Sequence, residues 1–147
     1  MDELQIVDAW LAALLANLEP AARTRMLREV ARDVRRIQQQ NITAQRAPDG
    51  TAWGPRRMTA RTKQGRIRRK MFTKLKTTKY LKAQANASQA EVRFTGQVQR
   101  IARVHHYGLR DRISRGGVVI KYPERRLLGF DNRIKEQLSR VLINWLK

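Results

Sequence analysis

Two adjacent histidines, His105 and His106, have the most versatile chemistry in this chain of 147 residues, because imidazole can bind metals and transfer protons. They end an apolar run and precede Tyr107 and Gly108. On a strand, neighbouring side chains point to opposite faces, so the pair is badly placed to bind one metal ion. The chain has no cysteine and no cluster of acids beside the histidines, so the sequence predicts no metal site. The simpler interpretation is a polar position at a sheet edge or an interface.

Other catalytic groups are equally sparse. No serine lies in a nucleophile-elbow pattern, and the acids are few and concentrated in predicted helices, which leaves no paired-carboxylate site. Neither a phosphate loop nor a dinucleotide glycine pattern occurs, and Gly116-Gly117 is more simply a turn. The sequence therefore predicts a protein that is not an enzyme and uses no cofactor.

Charge dominates the composition, with 32 Lys and Arg against 12 Asp and Glu, a net charge of +20. Such a chain attracts polyanions, which could be nucleic acid or the acidic surfaces of a larger assembly. The absence of cysteine fits a cytosolic protein. The first residues are acidic where a signal peptide is basic, and the longest apolar run is too short to span a bilayer, so neither export signal nor membrane anchor is expected.

Two helices are predicted first. Residues 2–18 carry one apolar stripe, widened by Ile6 and Trp10, and Asp2 can cap this helix. The stripe fits a core helix, or a helix that also buries part of this face against a neighbouring subunit. Pro20 is predicted to open a second helix that ends near Thr43 and has a basic solvent face.

A turn-rich loop and a basic arm follow. Trp53 in the loop 46–55 is expected to pack on the core, the alternative being a contact with a partner. Residues 56–70 are too densely charged to compact alone and predict an exposed arm that binds an anionic partner. Its basic residues are Arg56, Arg57, Arg61, Lys63, Arg66, Arg68, Arg69 and Lys70. Residues 71–82 are predicted to rejoin the fold as a short helix.

The remaining segment alternates between strand and turn signals. Residues 90–95 and 118–122 predict strands, and residues 98–107 fit either a strand or a short helix. Residues 109–117 predict a charged loop, and Asp131 or Asn132 is expected to cap a last helix. The predicted class is α+β, with two amino-terminal helices and one carboxy-terminal helix on a small, mostly antiparallel sheet. It forms one domain, 1–147, divided into a helical pair (1–45), loop and arm (46–82), sheet region (83–131) and final helix (132–147).

The stretch 101–130 is expected to hold two turns that need special geometry. Gly108 follows a bulky residue at the end of a predicted strand, where a positive φ is expected, and Gly129 is expected to allow a similarly tight turn. Arg126 is expected to bond carbonyls or a carboxylate, locking its turn or bridging to a neighbouring subunit. The candidate inter-subunit or turn residues are His105, His106, Tyr107, Gly108, Arg126, Leu127, Leu128 and Gly129.

Several of these segments together resemble the phage virion morphogenesis family, the tail completion proteins of temperate phages with contractile tails. The resemblance is carried by HHYG at 105–108, RLLG at 126–129, PDGTAWGPR at 48–56, and the segments 2–23 and 71–83, so it covers nearly the whole chain.

The resemblance implies a structural virion protein of the tail or neck that assembles in the host bacterial cytoplasm. Such a protein acts in a ring, with six-fold symmetry, that completes or terminates the tail and joins it to the head. The implied partners are further copies of itself, tail tube and sheath proteins and head–neck connector proteins, with possible contact to DNA in the lumen. The charge alone suggests an alternative, a sequence-independent nucleic-acid-binding protein.

Overall fold

The arrangement of helices and strands comes from a computed structural model, which describes residues 3–56, 70–113 and 115–146. In chain order these ranges contain α1 (Glu3–Ala16), α2 (Pro20–Thr43), β1 (Leu81–Ala85), β2 (Ala90–Phe94), α3 (Gly96–Tyr107), β3 (Arg110–Arg112), β4 (Val119–Lys121) and α4 (Asn132–Leu146). Four helices and two antiparallel hairpins in the described ranges confirm the predicted α+β class. The predicted division into segments stays a prediction.

Helix α2 is the element on which the others pack. It begins at Pro20 and ends at Thr43, as predicted, because proline lacks the N–H that a first turn leaves unbonded. Its buried residues contact the β1–β2 hairpin on one side and α4 on the other. Near its start, Met26, Leu27 and Val30 form a cluster with Val141 and Leu142 of α4.

Strands β1 and β2 pair in antiparallel register from Leu81 opposite Phe94 to Ala85 opposite Ala90. Leu81 and Phe94 join Ile42 of α2 in the second buried cluster, so one face of the hairpin is core. The predicted strand at 90–95 is confirmed, but the short helix predicted for 71–82 is wrong, because residues 71–80 form turns and bends without a helix. Leu81 and Lys82 belong to β1, which forms because it pairs with β2. The local sequence of β1 does not predict this pairing.

Residues 98–107 belong to helix α3, which is one of the two alternatives, strand or short helix, that the sequence allowed. Val98, Ala102 and Val104 are buried on α3, whereas Ile101 faces solvent. His105, His106 and Tyr107 therefore lie in the last turn of a helix and not at a sheet edge. Adjacent side chains are about 100° apart on a helix, so the two histidines do not point to opposite faces as they would on a strand.

A second hairpin and the final helix complete the described chain. Strands β3 and β4 pair antiparallel, so part of the predicted charged loop 109–117 is a strand. Asp131 caps α4 as predicted, because its Oδ1 accepts a hydrogen bond of 3.0 Å from the N–H of Ile134.

Helix α1 is only partly covered. Leu11 of α1 and Leu18 in the turn after it contact the cluster between α2 and α4, while Ile6 and Trp10 of α1 are about half exposed. The proposed Asp2 cap lies outside the described residues. Within the described ranges, no helix combines the length and the apolar character that crossing a bilayer requires.

Candidate interaction site

The end of α3 crosses residues 122–129, and three hydrogen bonds fix the crossing. The backbone N–H of Arg125 donates to the carbonyl of His105 at 2.8 Å, and that of Tyr122 donates to the carbonyl of Leu109 at 3.1 Å. The N–H of Leu127 donates to Nδ1 of His106 at 3.1 Å. We call this unit, residues 104–109 with residues 122–129, the crossing. It joins the HHYG and RLLG motifs within one subunit.

His105 is the centre of a group of aromatic rings. Its ring centroid lies 4.9 Å from that of Phe72 and 4.6 Å from that of Tyr122, both in edge-on geometry. Burial lowers the pKa of His105, the charges of Arg125 and Arg56 lower it further, and Asp111 opposes them. Its Nδ1 is buried without a hydrogen-bond partner in the described structure. His105 is therefore a neutral packing residue.

His106 has a different task in the same turn. Because its Nδ1 accepts the N–H of Leu127, the imidazole must be unprotonated at that nitrogen. Burial lowers the pKa of His106, the charge of Arg126 acts in the same direction, and Glu124 opposes them. Neutral His106 thus holds Leu127, which is fully buried, in the core.

The two motif glycines are needed for different reasons. Gly108 ends α3 with φ of +64°, so the predicted positive φ is confirmed, although the element it ends is a helix. A Cβ at Gly108 would lie 2.9 Å from the backbone nitrogen of Glu124. Gly129 is not among the glycines with positive φ. There a Cβ would lie 2.8 Å from the Pro48 ring, so close approach explains this glycine.

The carboxylate and carbonyl contacts predicted for Arg126 are made by two adjacent arginines, Arg126 and Arg125. Arg126 is exposed and its Nε donates to the Glu124 carboxylate at 2.8 Å, which fits the expected carboxylate partner. The bonds to carbonyls come instead from Arg125, which is 7% exposed. Its Nε donates to the carbonyl of Gly54 at 3.2 Å, and its Nη2 to that of Pro55 at 3.1 Å. Sequence reasoning missed Arg125 because nothing in the pattern separates it from its neighbour.

Trp53 packs back on the fold, as predicted. Its ring meets Phe72 edge-on with centroids 5.4 Å apart, and its Nε1 donates to the carbonyl of Arg126 at 3.1 Å. Trp53 therefore ties the 46–55 loop to the crossing.

The basic arm is attached firmly at both ends. Of its predicted residues, the structure describes Arg56 and Lys70; Arg57, Arg61, Lys63, Arg66, Arg68 and Arg69 lie outside the described residues. Before the arm, Arg125 binds the carbonyls of Gly54 and Pro55. After it, the Gln45 side chain bonds both backbone groups of Met71, at 2.8 and 2.9 Å. The two anchors hold the described residues on either side of the predicted arm to the fold.

Exposed apolar side chains lie away from these anchors. On the β3–β4 hairpin the backbone of Ile113 donates to the carbonyl of Val118 at 3.1 Å, which continues the strand register. Ile113 is 62% and Val118 72% exposed, and we call this pair the hairpin tip. Paired residues of a hairpin lie on one face, so the two side chains are neighbours. Tyr107 on α3 is also more than half exposed, whereas Leu127 is buried and Leu128 half-buried.

No cluster of metal-binding side chains, meaning three or more from His, Cys, Asp and Glu, occurs among residues 3–56, 70–113 and 115–146. The site described above is built of packing, backbone bonds and exposed apolar groups. Such a site can hold a partner surface, and it presents no arrangement of nucleophile, acid and base.

Comparisons with known proteins agree with this character. A family model described as the phage virion morphogenesis family matches residues 2–147. The chain is 37% identical over 149 residues to tail completion protein S of Escherichia phage P2, an alignment that covers 100% of this chain and 99% of that protein. No solved structure matches the chain. With a family model that spans residues 2–147 of 147, the chain belongs to the phage virion morphogenesis family.

Proposed function

We propose that this protein completes the phage tail as one subunit of a ring that joins the tail to the head–neck connector. Full-length similarity to a tail completion protein is the observation that carries this proposal. Membership of a virion morphogenesis family gives the chain a structural role and not a catalytic one. The partners in this proposal are further copies of the chain, tail tube and sheath proteins and connector proteins, within the virion.

The exposed apolar groups support self-association. Ile113 and Val118 project at the hairpin tip, and Ile6 and Trp10 leave about half of their surface exposed on α1. The two pairs lie on different elements, and a ring needs two different surfaces that meet head to tail. We infer a hexamer, the symmetry that the resembled family implies. Tyr107, exposed beside the crossing, is the motif residue best placed to reach a neighbour.

Mass photometry of the purified protein, alone and with tail-tube protein, tests the ring. We expect a discrete species at about six times the subunit mass. Only monomer at micromolar concentration in both samples would overturn the ring proposal.

We propose that the basic arm binds an acidic face of a neighbouring tail or connector protein. The anchored residues on either side of it support a clamp, because Arg125 holds Gly54 and Pro55 and Gln45 holds Met71, so that a bound partner would be tied to the fold at both ends of the segment. DNA must slide through the ring during ejection, and phosphate pairing repeated on every subunit would act as a brake. Repetition strengthens a protein clamp instead.

Replacing Arg66, Arg68, Arg69 and Lys70 by Gln or Ser tests the arm. We expect the protein to fold and form rings, while tails fail to complete or to join heads. The matched control replaces four basic residues of α2, Arg25, Arg28, Arg32 and Arg36, with the same loss of charge. Normal particles that package or eject DNA abnormally would place the arm against DNA.

The net charge of +20 favours one other function, sequence-independent binding to nucleic acid. That function predicts tight duplex affinity whose logarithm falls steeply with the logarithm of salt concentration. A titration of duplex DNA at several salt concentrations, with the ring measurement on the same sample, separates the two functions.

A further inference from the structure

Strand β2 has an edge that no described residue covers with hydrogen bonds. The register continues beyond both strand ends, since the N–H of Thr95 donates to the carbonyl of Tyr80 at 2.8 Å and that of Asn86 to Gln89 at 3.0 Å. Bonded and non-bonded pairs alternate in an antiparallel ladder. The backbone N–H and C=O groups of Glu91 and Arg93 therefore bond to β1, while those of Ala90, Val92 and Phe94 point away from it. Within the described ranges these three residues make no further backbone hydrogen bond.

The open edge borders a groove. Two cavities, of about 430 and 340 Å³, meet along it, and Val92, Leu128 and Gly129 line both. The larger cavity extends along α3. The smaller one is lined by apolar side chains of α2, which are Leu27, Val30, Ala31 and Val34. The groove thus offers a row of backbone donors and acceptors beside an apolar surface, which is what an added strand requires.

One buried polar group in the groove lacks a partner. Gln38 is 3% exposed and its Nε2 donates to the carbonyl of Gly129 at 2.6 Å, but its Oε1 is buried without a hydrogen bond in the described structure. Gln38 lines the smaller cavity. An unpaired buried acceptor is costly, and an N–H of an entering chain would satisfy it.

The charges at the groove select the partner. Arg93 and Arg103 line the larger cavity, which has no acidic lining residue, although Nε of Arg93 lies 3.8 Å from Oε2 of Glu91, which offsets part of its charge. Asp8 is the one acid that lines the smaller cavity. A basic segment, including the arm of another copy, would meet these arginines with like charge. An acidic segment would be attracted by them and by the net charge of +20.

We propose that β2 takes an extended segment of an acidic partner protein as a third strand. The segment alternates in character: its apolar side chains face α2, and its acidic side chains face Arg93 and Arg103. Its backbone pairs with Ala90, Val92 and Phe94. This surface does not include the hairpin tip, although Tyr107 lines the larger cavity and Val7, Asp8 and Leu11 of α1 line the smaller one. The added strand binds one subunit, so the inference does not require a ring.

A capped peptide of about seven residues, alternating valine and glutamate, tests the proposal. Binding is followed by the fluorescence anisotropy of a labelled peptide. We expect saturable binding, and binding at least about tenfold weaker for a peptide of the same composition with the valines grouped together, because grouping destroys the alternation. Equal affinity for both peptides would show simple charge attraction and overturn the proposal.

Proline substitutions test the edge itself. Val92→Pro removes an N–H that is not bonded to β1, and we expect it to abolish peptide binding. Ala83→Pro is the matched control, because Ala83 is opposite Val92 and its N–H points to the other edge of the hairpin. We expect Ala83→Pro to retain binding, and equal loss in both variants would contradict the assignment.

Charge-reversal variants test the same proposal without a proline, in case a proline variant does not fold. Arg93→Glu with Arg103→Glu is expected to weaken peptide binding at least about tenfold. Arg110→Glu with Arg140→Glu changes the net charge equally at exposed positions outside the groove and is expected to have little effect. Equal weakening in the two double variants, or saturable self-association in place of peptide binding, would show that the occupant is not an acidic segment held by this edge.

Discussion

The crossing and the hairpin tip belong to the same stretch of chain but are stabilised in opposite ways. In the crossing, His105, His106 and Arg125 each bond to a partner far along the chain or stack against one, and Leu127 is fully buried. At the hairpin tip, Ile113 and Val118 leave most of their surface in solvent. Most residues that look like a motif therefore hold the subunit together, Tyr107 being an exposed exception, whereas Ile113 and Val118 of the hairpin tip belong to no recognisable pattern.

The largest expected effect is on the crossing, at Gly108. Gly108→Val combines a β-branched residue at φ of +64° with a Cβ 2.9 Å from the backbone of Glu124, so we expect a loss of about 3 kcal/mol in unfolding free energy. Urea denaturation measures it. Gly116→Val is the control, because Gly116 has φ of +72° with no atom within 4 Å of a Cβ, and we expect about 1 kcal/mol there. Equal losses would mean that the contact with Glu124 contributes nothing.

The second effect separates the two arginines. Arg125→Met leaves the carbonyls of Gly54 and Pro55 without their donors, and we expect a loss of about 2 kcal/mol. Arg126→Met breaks an exposed ion pair and is expected to cost less than about 0.5 kcal/mol. Thermal and urea unfolding of both variants provide the comparison. A larger loss for Arg126→Met would reverse the roles that we assign.

A third measurement uses pH to examine the crossing. The pKa values of His105 and His106 are lowered in the folded protein from an ordinary 6.5. As pH falls through 6.5 the unfolded chain takes up protons first, so the stability of the fold decreases as pH falls below about 7 and continues to decrease until the folded histidines are also protonated. His105→Phe, which keeps a ring beside Phe72 and Tyr122, is expected to reduce this slope. His106→Asn offers an acceptor in place of Nδ1 and is expected to reduce it as well. An unchanged slope in both variants would show that neither histidine controls it.

Sequence reasoning was most successful where the physical cause is local. Pro20 sets a helix start through its own ring, and Asp131 caps α4 three residues away. The positive φ of Gly108 was predicted correctly, although for the end of a strand and not of a helix. Sequence reasoning was wrong where the cause is distant. Strand β1 contains two alanines and a glutamine and exists because β2 pairs with it, and α3 could not be distinguished from a strand by four apolar positions.

The candidate site shows the same limit. The choice of Trp53 as a loop anchor needed only the fact that a tryptophan is rarely left in water. Arg125 and Gln45 could not be found in this way, because their partners, the carbonyls of Gly54 and Pro55 and the backbone of Met71, lie 26 or more residues away. A polar side chain is buried where distant backbone groups lack other hydrogen-bond partners. A single sequence does not show which distant groups come close to it.

The smallest effect on stability is expected at the hairpin tip, where the effect on assembly should be large. Ile113→Ser with Val118→Ser removes apolar surface that is already exposed, so the unfolding free energy should change by no more than about 0.5 kcal/mol. If the pair packs against a neighbouring subunit, the same variant loses buried apolar contact in every interface of the ring. We therefore expect mass photometry to show a shift from ring to monomer. Ile143→Ser is the control, because Ile143 on α4 is 54% exposed and belongs to neither surface. Intact rings from the double variant, with rings lost in Ile143→Ser, would move the interface from the hairpin to α4.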